Sequence, residues 1–246
     1  MTLVEEAPVE LSTLKGPMRT RVFRPSAEGK YPGIVLFSEI FQITEPIKRT
    51  AMMLAGHGYV VAVPEVYHEF EPAGSVLAYD QAGADRGNFL KTEKELVSYD
   101  SDAAAAVDFL ASHPMGNGKV GSMGMCLGGH LSLRCAINPK VSAAVCLYAT
   151  DVHKRSLGKG MNDDTLDRIS GIQAELLFIW GRQDPHVPME GRATVYQALA
   201  QGGSHFQWHE FNGAHAFIRD EGYRYDPVLA RECYGLALEL FGRVLK

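Results

Sequence analysis

Residues 119–129 read KVGSMGMCLGG, and this stretch decides how the chain is expected to fold. Lys119 to Met123 is typical of a buried strand, and a helix is predicted from Cys126 to Ile137. The glycines on either side of Cys126 permit a tight turn between the two, because side chains at those positions would clash with adjacent elements. Such a turn holds the Cys126 sulfur at the carboxyl end of the strand. It also places the sulfur at a helix amino terminus, which favours thiolate over thiol.

The same stretch has two alternative interpretations. A glycine-rich turn between a strand and a helix can bind phosphate. It can also be tight packing around a buried cysteine, which behaves as a small apolar residue. Because only a nucleophile needs a base and an acid beside it, the residues around Cys126 distinguish these alternatives.

Outside this stretch, apolar runs alternate with amphipathic ones. This pattern predicts an α/β fold with a mostly parallel central sheet flanked by helices. The 246 residues suit one domain, residues 1–246. Further strands are predicted at Val9–Leu14, Arg19–Phe23, Gly33–Phe37, Tyr59–Val63, Val141–Leu147, Glu175–Trp180 and Phe206–Phe211, and further helices at Glu45–His57, Ser98–Ser112 and Tyr223–Val244. The pattern does not give the strand order.

Two stretches, residues 65–94 and 150–170, fit no core element. Each is long for a loop in a compact domain, and loops of this length are commonly lids or binding loops. We therefore expect both to line a pocket.

Charge and composition exclude several classes of function. The formal charge of −5 is spread along the chain and leaves no basic stripe for nucleic acid. The apolar runs are too short to span a bilayer, and Met1 to Glu10 carries three glutamates and no apolar core of a signal peptide. The expectation is a cytoplasmic protein, a monomer or small homo-oligomer, whose partner is a small molecule and not a membrane.

The four cysteines, Cys126, Cys135, Cys146 and Cys233, lack paired C-x-x-C spacing. This spacing predicts neither a zinc site nor a redox motif, so no metal and no cofactor are expected. Cys146 lies in an apolar run, and Cys135 and Cys233 lie in helical segments, which favours a packing role for all three.

Of the nine histidines, five follow Cys126 beyond its helix. Where a nucleophile occupies such a turn, the acid and then the base follow on loops after late strands. His215 fits the base, because it comes directly after the predicted strand 206–211 and a short loop. His205 and His209 alternate in that region and are expected to point to one sheet face, away from the site.

Asp184 is the candidate acid, because it directly follows the predicted strand Glu175–Trp180. An aspartate there would fix the imidazole tautomer and stabilise its charged form. Since Asp184 precedes Pro185, a turn or cap role is the alternative. His186 is an alternative base. Because it lies only two residues from Asp184, it is poorly placed to form a hydrogen bond with that carboxylate.

Four segments together resemble the dienelactone hydrolase family of cysteine-using α/β-hydrolases. They are LFSEIF at 36–41, the stretch 118–129, GRQD at 181–184 and GAHAF at 213–217. The resemblance covers about Val9 to Leu245. It implies the α/β-hydrolase fold, no cofactor, and a triad of Cys126, His215 and Asp184.

The resemblance also implies roles for other residues. Glu39 corresponds to a glutamate that takes the thiol proton when substrate binds, and the amides of Ile40 and Leu127 correspond to oxyanion donors. The substrate-binding positions are Arg219, which would bind a substrate carboxylate, together with Phe41 and Arg86. For Arg86, a solvent-exposed salt bridge is the equal alternative.

The chain departs from the family's sequence at two places that line the family's pocket. The chain has Ala216 where the family's dienelactone enzymes usually have serine, and residues 78–94 lack the family's tryptophan. The predicted function is hydrolysis of a small ester or lactone, with a carboxylate on the substrate, through an acyl-thioester. The alternatives are a broad carboxylesterase for small esters and a non-catalytic protein that binds or senses through its thiol.

Overall fold

The computed structural model describes residues 2–246, which form nine strands and six α-helices. The strands are β1 (Leu3–Glu5), β2 (Val9–Thr13), β3 (Gly16–Pro25), β4 (Tyr31–Phe37), β5 (Val60–Pro64), β6 (Gly116–Met125), β7 (Val141–Leu147), β8 (Glu175–Gly181) and β9 (Phe206–Phe211). The helices are α1 (Glu45–Gly56), α2 (Gln81–Glu93), α3 (Leu96–Ser112), α4 (Leu127–Cys135), α5 (Met189–Gln201) and α6 (Pro227–Val244).

All nine strands belong to one sheet, in the order β1-β3-β5-β4-β6-β7-β8-β9, with β2 paired to β3. Strands β5, β4, β6, β7, β8 and β9 run parallel to one another. Strands β1, β2 and β3 form antiparallel pairs at one side of the sheet. This architecture confirms the predicted α/β fold with a mostly parallel sheet. The carboxyl ends of β4, β6, β8 and β9 therefore meet at one edge.

Helices cover both faces of the sheet, which is why its central strands are almost entirely apolar. In β4, Val35 and Phe37 belong to the core on one face, and Ile34 and Leu36 belong to the core on the other. Helices α3, α4 and α5 contribute to the first core, and α1 and α6 contribute to the second. With both faces occupied, a ligand site is expected at the carboxyl ends of the strands.

The structure differs from the predicted elements in a few places. Residues 65–94 are not loop throughout, since they contain α2, and residues 150–170 lead into a 3₁₀ turn at Thr165–Gly171. The last helix begins at Pro227 and not at Tyr223, because the Asp226 side chain accepts from two amides of its first turn. Helix α5 and strand β1 were not predicted from the sequence. Within residues 2–246, no helix is long and apolar enough to cross a membrane.

Candidate active site

Cys126 lies in the turn between β6 and α4, at the N-cap position of the helix. Its backbone has φ 57° and ψ −119°, a conformation that non-glycine residues seldom adopt and that costs about 1–3 kcal/mol. Neighbouring backbone groups hold it there: the Cys126 amide donates to the Leu147 carbonyl at 3.1 Å, and the Cys126 carbonyl accepts from the Thr150 amide at 3.2 Å. The surrounding sheet thus maintains a strained turn that presents the sulfur.

The two glycines of the turn are required by close contacts between backbones. A Cβ at Gly124 would lie 2.0 Å from the carbonyl oxygen of Gly128. A Cβ at Gly128 would lie 2.2 Å from the carbonyl oxygen of Phe37, at the end of β4. Backbone atoms cannot move aside as a flexible side chain can, so this geometry accounts for glycine at both positions.

His215 and Asp184 meet at the same edge of the sheet. Asp184 follows β8 and His215 follows β9, and His215 Nδ1 lies 2.6 Å from Asp184 Oδ2. The second carboxylate oxygen, Oδ1, accepts from the His186 amide at 2.8 Å. Burial alone would raise the pKa of the Asp184 carboxyl, but its contacts with His215 and the His186 amide lower that pKa below its usual value.

The environment of His215 favours the protonated ring. Burial disfavours the imidazolium, but the negative charge of Cys126 and the hydrogen bonds to Asp184 and to Cys126 outweigh it and raise the pKa of His215 to about 10. The ring therefore bonds Asp184 inside the same cavity that Cys126 lines. The raised pKa keeps the His215 ring protonated at neutral pH.

Two backbone amides near the sulfur are free to donate. The Leu127 amide is the first of α4, and helix amides at that position have no partner within the helix. Among residues 2–246, neither the Leu127 amide nor the Ile40 amide donates to a protein acceptor. Ile40 lines the same cavity as Cys126, three residues past the end of β4. The two amides can therefore serve as an oxyanion hole.

Glu39 is buried at the cavity wall, where two side chains hold its carboxylate. Tyr79 donates to Glu39 Oε2 at 3.2 Å, and Arg219 Nη1 lies 3.5 Å from the same oxygen. The Arg219 guanidinium also stacks over the Tyr79 ring, 4.1 Å from its centre. Burial and the neighbouring Glu39 carboxylate raise the pKa of Tyr79 well above its usual value, so the phenol stays neutral and donates.

A cavity of about 420 Å³ connects these groups. Cys126, His215, Glu39 and Arg219 line it, and so does Phe41, whose ring lies edge-on to Tyr79 at 4.7 Å. Most of the remaining wall comes from the segments 65–94 and 150–170: Tyr79, Asp80, Gln81, Ala84, Asn88, Lys91, Thr150, Asp151 and Lys154. These two segments therefore border the pocket.

The sequence-based search missed several of these wall residues. The Thr150 hydroxyl lies 3.9 Å from the Cys126 sulfur, and Arg224 lines the cavity from the loop before α6. Neither residue belongs to a recognisable motif. Their places in the cavity wall depend on how the chain folds after β7 and β9, which residue spacing does not reveal.

The model of the dienelactone hydrolase family matches residues 18–245. The chain belongs to the dienelactone hydrolase family. This membership makes it a hydrolase of the dienelactone hydrolase type, acting on ester or lactone bonds. The "Putative carboxymethylenebutenolidase" of Saccharomyces cerevisiae is 41% identical over 240 residues, covering 93% of this chain and 88% of the yeast protein.

Further similarities extend across the family. The carboxymethylenebutenolidase of Pseudomonas putida is 27% identical over 194 residues, 78% of each chain. The crystal structure of a "Putative Dienelactone Hydrolase" from Klebsiella pneumoniae superposes with a TM-score of 0.83 at 23% identity, covering 98% of this chain and 99% of that one. The structural similarity supports the α/β-hydrolase fold.

Against the family's pattern, Arg86 lies outside the site. Its Nε is 2.6 Å from Glu71 Oε1, its side chain is 43% exposed, and it does not line the cavity. The structure thus shows the salt bridge, not the substrate-binding position. Ala216, in place of the family's serine, is buried with φ 62° directly after His215.

The remaining histidines are placed as follows. His186 lines the cavity and packs edge-on against the His215 ring at 4.6 Å, but its backbone amide, not its ring, contacts Asp184. His209 lies in β9, and His205 precedes that strand. No group of three or more His, Cys, Asp or Glu side chains within residues 2–246 is arranged to hold a metal ion.

Proposed function

We propose that this dienelactone hydrolase family member hydrolyses a small carboxylate-bearing ester or lactone with Cys126 as nucleophile, His215 as base and Asp184 as its orienting acid. The observation that carries the proposal is the 2.6 Å contact between Asp184 Oδ2 and His215 Nδ1, in a cavity that His215 lines together with Cys126. The raised pKa of His215 supports a resting thiolate–imidazolium pair.

The first half-reaction transfers the acyl group to sulfur. The Cys126 thiolate attacks the carbonyl carbon, and the resulting oxyanion accepts hydrogen bonds from the Ile40 and Leu127 amides. When the carbon–oxygen bond breaks, His215 gives its proton to the departing oxygen and becomes neutral. An acyl-thioester remains. In a lactone the departing oxygen stays attached through the opened ring.

The second half-reaction releases the acid. Acylation removes the thiolate charge, which is the largest contribution that raises the pKa of His215, so the neutral ring can now accept a proton from water. Water adds to the thioester carbonyl, the same two amides hold the oxyanion, and the carbon–sulfur bond breaks. The thiolate and the imidazolium are restored.

Arg219 and Glu39 can link substrate binding to activation. An incoming carboxylate would compete with Glu39 for the Arg219 guanidinium, whose planar fork suits bidentate binding. Release would free the Glu39 carboxylate inside the cavity, where it can accept a proton from any Cys126 that rests as thiol. Phe41 provides an apolar wall for the substrate's hydrocarbon part.

Hydrolysis of 4-nitrophenyl acetate tests this function. We expect Cys126→Ala to reduce kcat/KM to background, whereas Cys135→Ala, a buried cysteine outside the cavity, should retain activity in the properly folded protein. A Cys126→Ala variant with the wild-type rate would exclude the assigned nucleophile.

A second candidate is a broad carboxylesterase acting on neutral esters. It is favoured by the pairing of Arg219 with Glu39 and Tyr79, because a guanidinium already neutralised has less attraction for a substrate anion. Comparing cis-dienelactone with neutral esters on wild-type protein and Arg219→Gln separates the two. If neutral esters are preferred and Arg219→Gln changes nothing, the esterase is the better description.

A further inference from the structure

Thr150 lies beside the nucleophile turn, and hydrogen bonds hold its backbone on both sides. Its amide donates to the Cys126 carbonyl at 3.2 Å, and its carbonyl oxygen lies 3.0 Å from Nδ1 of His130. Because a carbonyl oxygen can only accept, this ring nitrogen carries the hydrogen. The Thr150 hydroxyl then lies 3.9 Å from the Cys126 sulfur, which is a hydrogen-bond contact for an atom as large as sulfur.

His130, on helix α4, is itself fixed in place by a buried carboxylate. The residue is fully buried, and its Nε2 lies 3.0 Å from the Thr165 hydroxyl and 3.4 Å from Asp163 Oδ1. Burial alone would raise the pKa of Asp163, but its contacts with His130 and Thr165 lower that pKa below its usual value. The imidazole is therefore held at both nitrogens, so it fixes the position of Thr150.

The Thr150 hydroxyl has one other acceptor nearby, the carboxylate of Asp151. Burial raises the pKa of Asp151, and Lys91 and, less strongly, Thr150 lower it below its usual value. Both carboxylate oxygens already have donors, however: Oδ2 accepts from Lys91 at 2.9 Å and Oδ1 accepts from Ser156 at 3.1 Å. A hydroxyl has one hydrogen to donate. Since Asp151 is already satisfied, that hydrogen is available to the sulfur.

We propose that Thr150 is a further catalytic residue, whose hydroxyl donates a hydrogen bond to the Cys126 thiolate, and that the His130–Asp163 pair positions it. This inference rests on the proposed role of Cys126 as nucleophile. A hydrogen bond to the charged sulfur stabilises the thiolate relative to the thiol. In the second half-reaction the same hydroxyl favours departure of the sulfur as thiolate. The backbone amides assigned above act on the oxyanion, so this donor is a separate one.

Alkylation of Cys126 by iodoacetamide as a function of pH tests the role of the hydroxyl. Thr150→Val removes the hydroxyl and keeps the shape of the side chain. We expect the midpoint of the rise in alkylation rate to move up by about one pH unit in Thr150→Val and to stay near the wild-type value in Thr150→Ser. Thr194→Val makes the same chemical change on the exposed face of α5, outside the cavity, and should leave the midpoint unchanged.

The other charged and titratable groups around the sulfur are retained in these variants. They are His215, His186, Glu39, Asp151 and Arg219 of the cavity wall and the buried phenols of Tyr67 and Tyr148. A change in the midpoint of Thr150→Val that Thr150→Ser does not share is therefore due to the hydroxyl.

A double-mutant comparison tests the positioning role of His130. His130→Gln removes the donor to the Thr150 carbonyl, whereas His130→Asn keeps an N–H near the position of Nδ1. Among variants whose circular dichroism shows the native fold, we expect His130→Gln to raise the midpoint and His130→Asn to raise it less. Because His130 acts through Thr150, adding His130→Gln to Thr150→Val should produce no further rise.

These measurements require no turnover, so they separate the inference from the proposed function. Wild-type protein that fails to hydrolyse 4-nitrophenyl acetate, although its midpoint depends on the Thr150 hydroxyl, would refute the proposed hydrolysis and retain the hydrogen bond. An unchanged midpoint in Thr150→Val would overturn the role of Thr150 and leave its hydroxyl as a donor to Asp151. A full additional rise in the double variant would overturn the positioning role of His130.

Discussion

The charge of His215 depends strongly on its neighbours. A buried histidine is ordinarily neutral, because burial disfavours the imidazolium. Here a sulfur on one side and a carboxylate on the other reverse that preference and raise the pKa from 6.5 to about 10. The contribution of Cys126 is larger than that of Asp184. The protonation state of the base is therefore mainly a property of the nucleophile.

This dependence gives a prediction about pH. In wild-type protein the His215 ring should keep its proton through neutral pH and lose it as the pH rises through about 10. In Cys126→Ala the thiolate charge is absent, so burial weighs more and the ring should titrate at a clearly lower pH. Histidine ring NMR, assigned with His215→Gln, measures both values. Equal pKa values of His215 in the two proteins would contradict the pairing of its ring with the Cys126 thiolate.

Sequence alone predicts a residue well when that residue follows a strand of the parallel sheet. Cys126, Asp184 and His215 each do so, and parallel strands bring their carboxyl ends to one edge. Arg86 and Arg224 illustrate the limit. Both lie in irregular or weakly patterned segments, and only the fold shows that the first pairs with Glu71 while the second borders the cavity.

At the scale of single elements, the turn between β6 and α4 depends on close approach of backbones. Gly128 packs against the end of β4, where a Cβ would lie 2.2 Å from the Phe37 carbonyl and 2.6 Å from that of Ser38. Gly235 in α6 has no atom within 4 Å of an added Cβ. The two helical glycines thus differ in packing and not in secondary structure.

Replacing each of these glycines with alanine should have opposite effects. Gly128→Ala is expected to lower the free energy of unfolding by about 1–3 kcal/mol, because the strand and helix must separate. Gly235→Ala should raise it by about 0.5–1 kcal/mol, because alanine restricts the unfolded chain and suits a helix. Urea denaturation of both variants checks this. If Gly128→Ala proved as stable as Gly235→Ala, the packing argument would be wrong.

Helix α2 was not predicted from the sequence, and its burial pattern shows why. Only Gly83, Gly87 and Leu90 of its thirteen residues are buried, so the sequence lacks an apolar stripe of helical period. A Cβ at Gly87 would lie 2.5 Å from the carbonyl oxygen of Ile40, a candidate oxyanion residue. Glycine at position 87 is therefore required by close packing against the Ile40 backbone, which the sequence pattern does not reveal.

At the scale of the whole molecule, a buried charge cluster ties one cavity-lining segment, residues 65–94, to helix α3 in the body of the fold. Lys94 is fully buried and pairs with Glu69 and with Asp102 of α3, at 3.0 Å in the second case. The Lys94 carbonyl also accepts from the Lys159 amide at 2.8 Å. The Lys94 charge therefore anchors the first segment, and the second segment contacts it through a backbone hydrogen bond.

Removing this charge should therefore be costly. Lys94→Met leaves two carboxylates without their buried cation, and we expect the free energy of unfolding to fall by about 3–5 kcal/mol. Lys140→Met, which removes an exposed lysine paired with Asp108, should change it little. Chemical denaturation of the two variants provides the comparison. Equal stability of both would show that the cluster does not anchor the segment 65–94.

The most direct test of the central claim is to trap the acyl group on the protein. Rapid quenching in acid during turnover of 4-nitrophenyl butyrate, followed by mass spectrometry of the peptides, locates any covalent intermediate. The account predicts one butyryl group on Cys126, lost on treatment with hydroxylamine as a thioester should be, and absent from Cys126→Ala. An acyl group on any other residue, or undiminished turnover by Cys126→Ala, would contradict it.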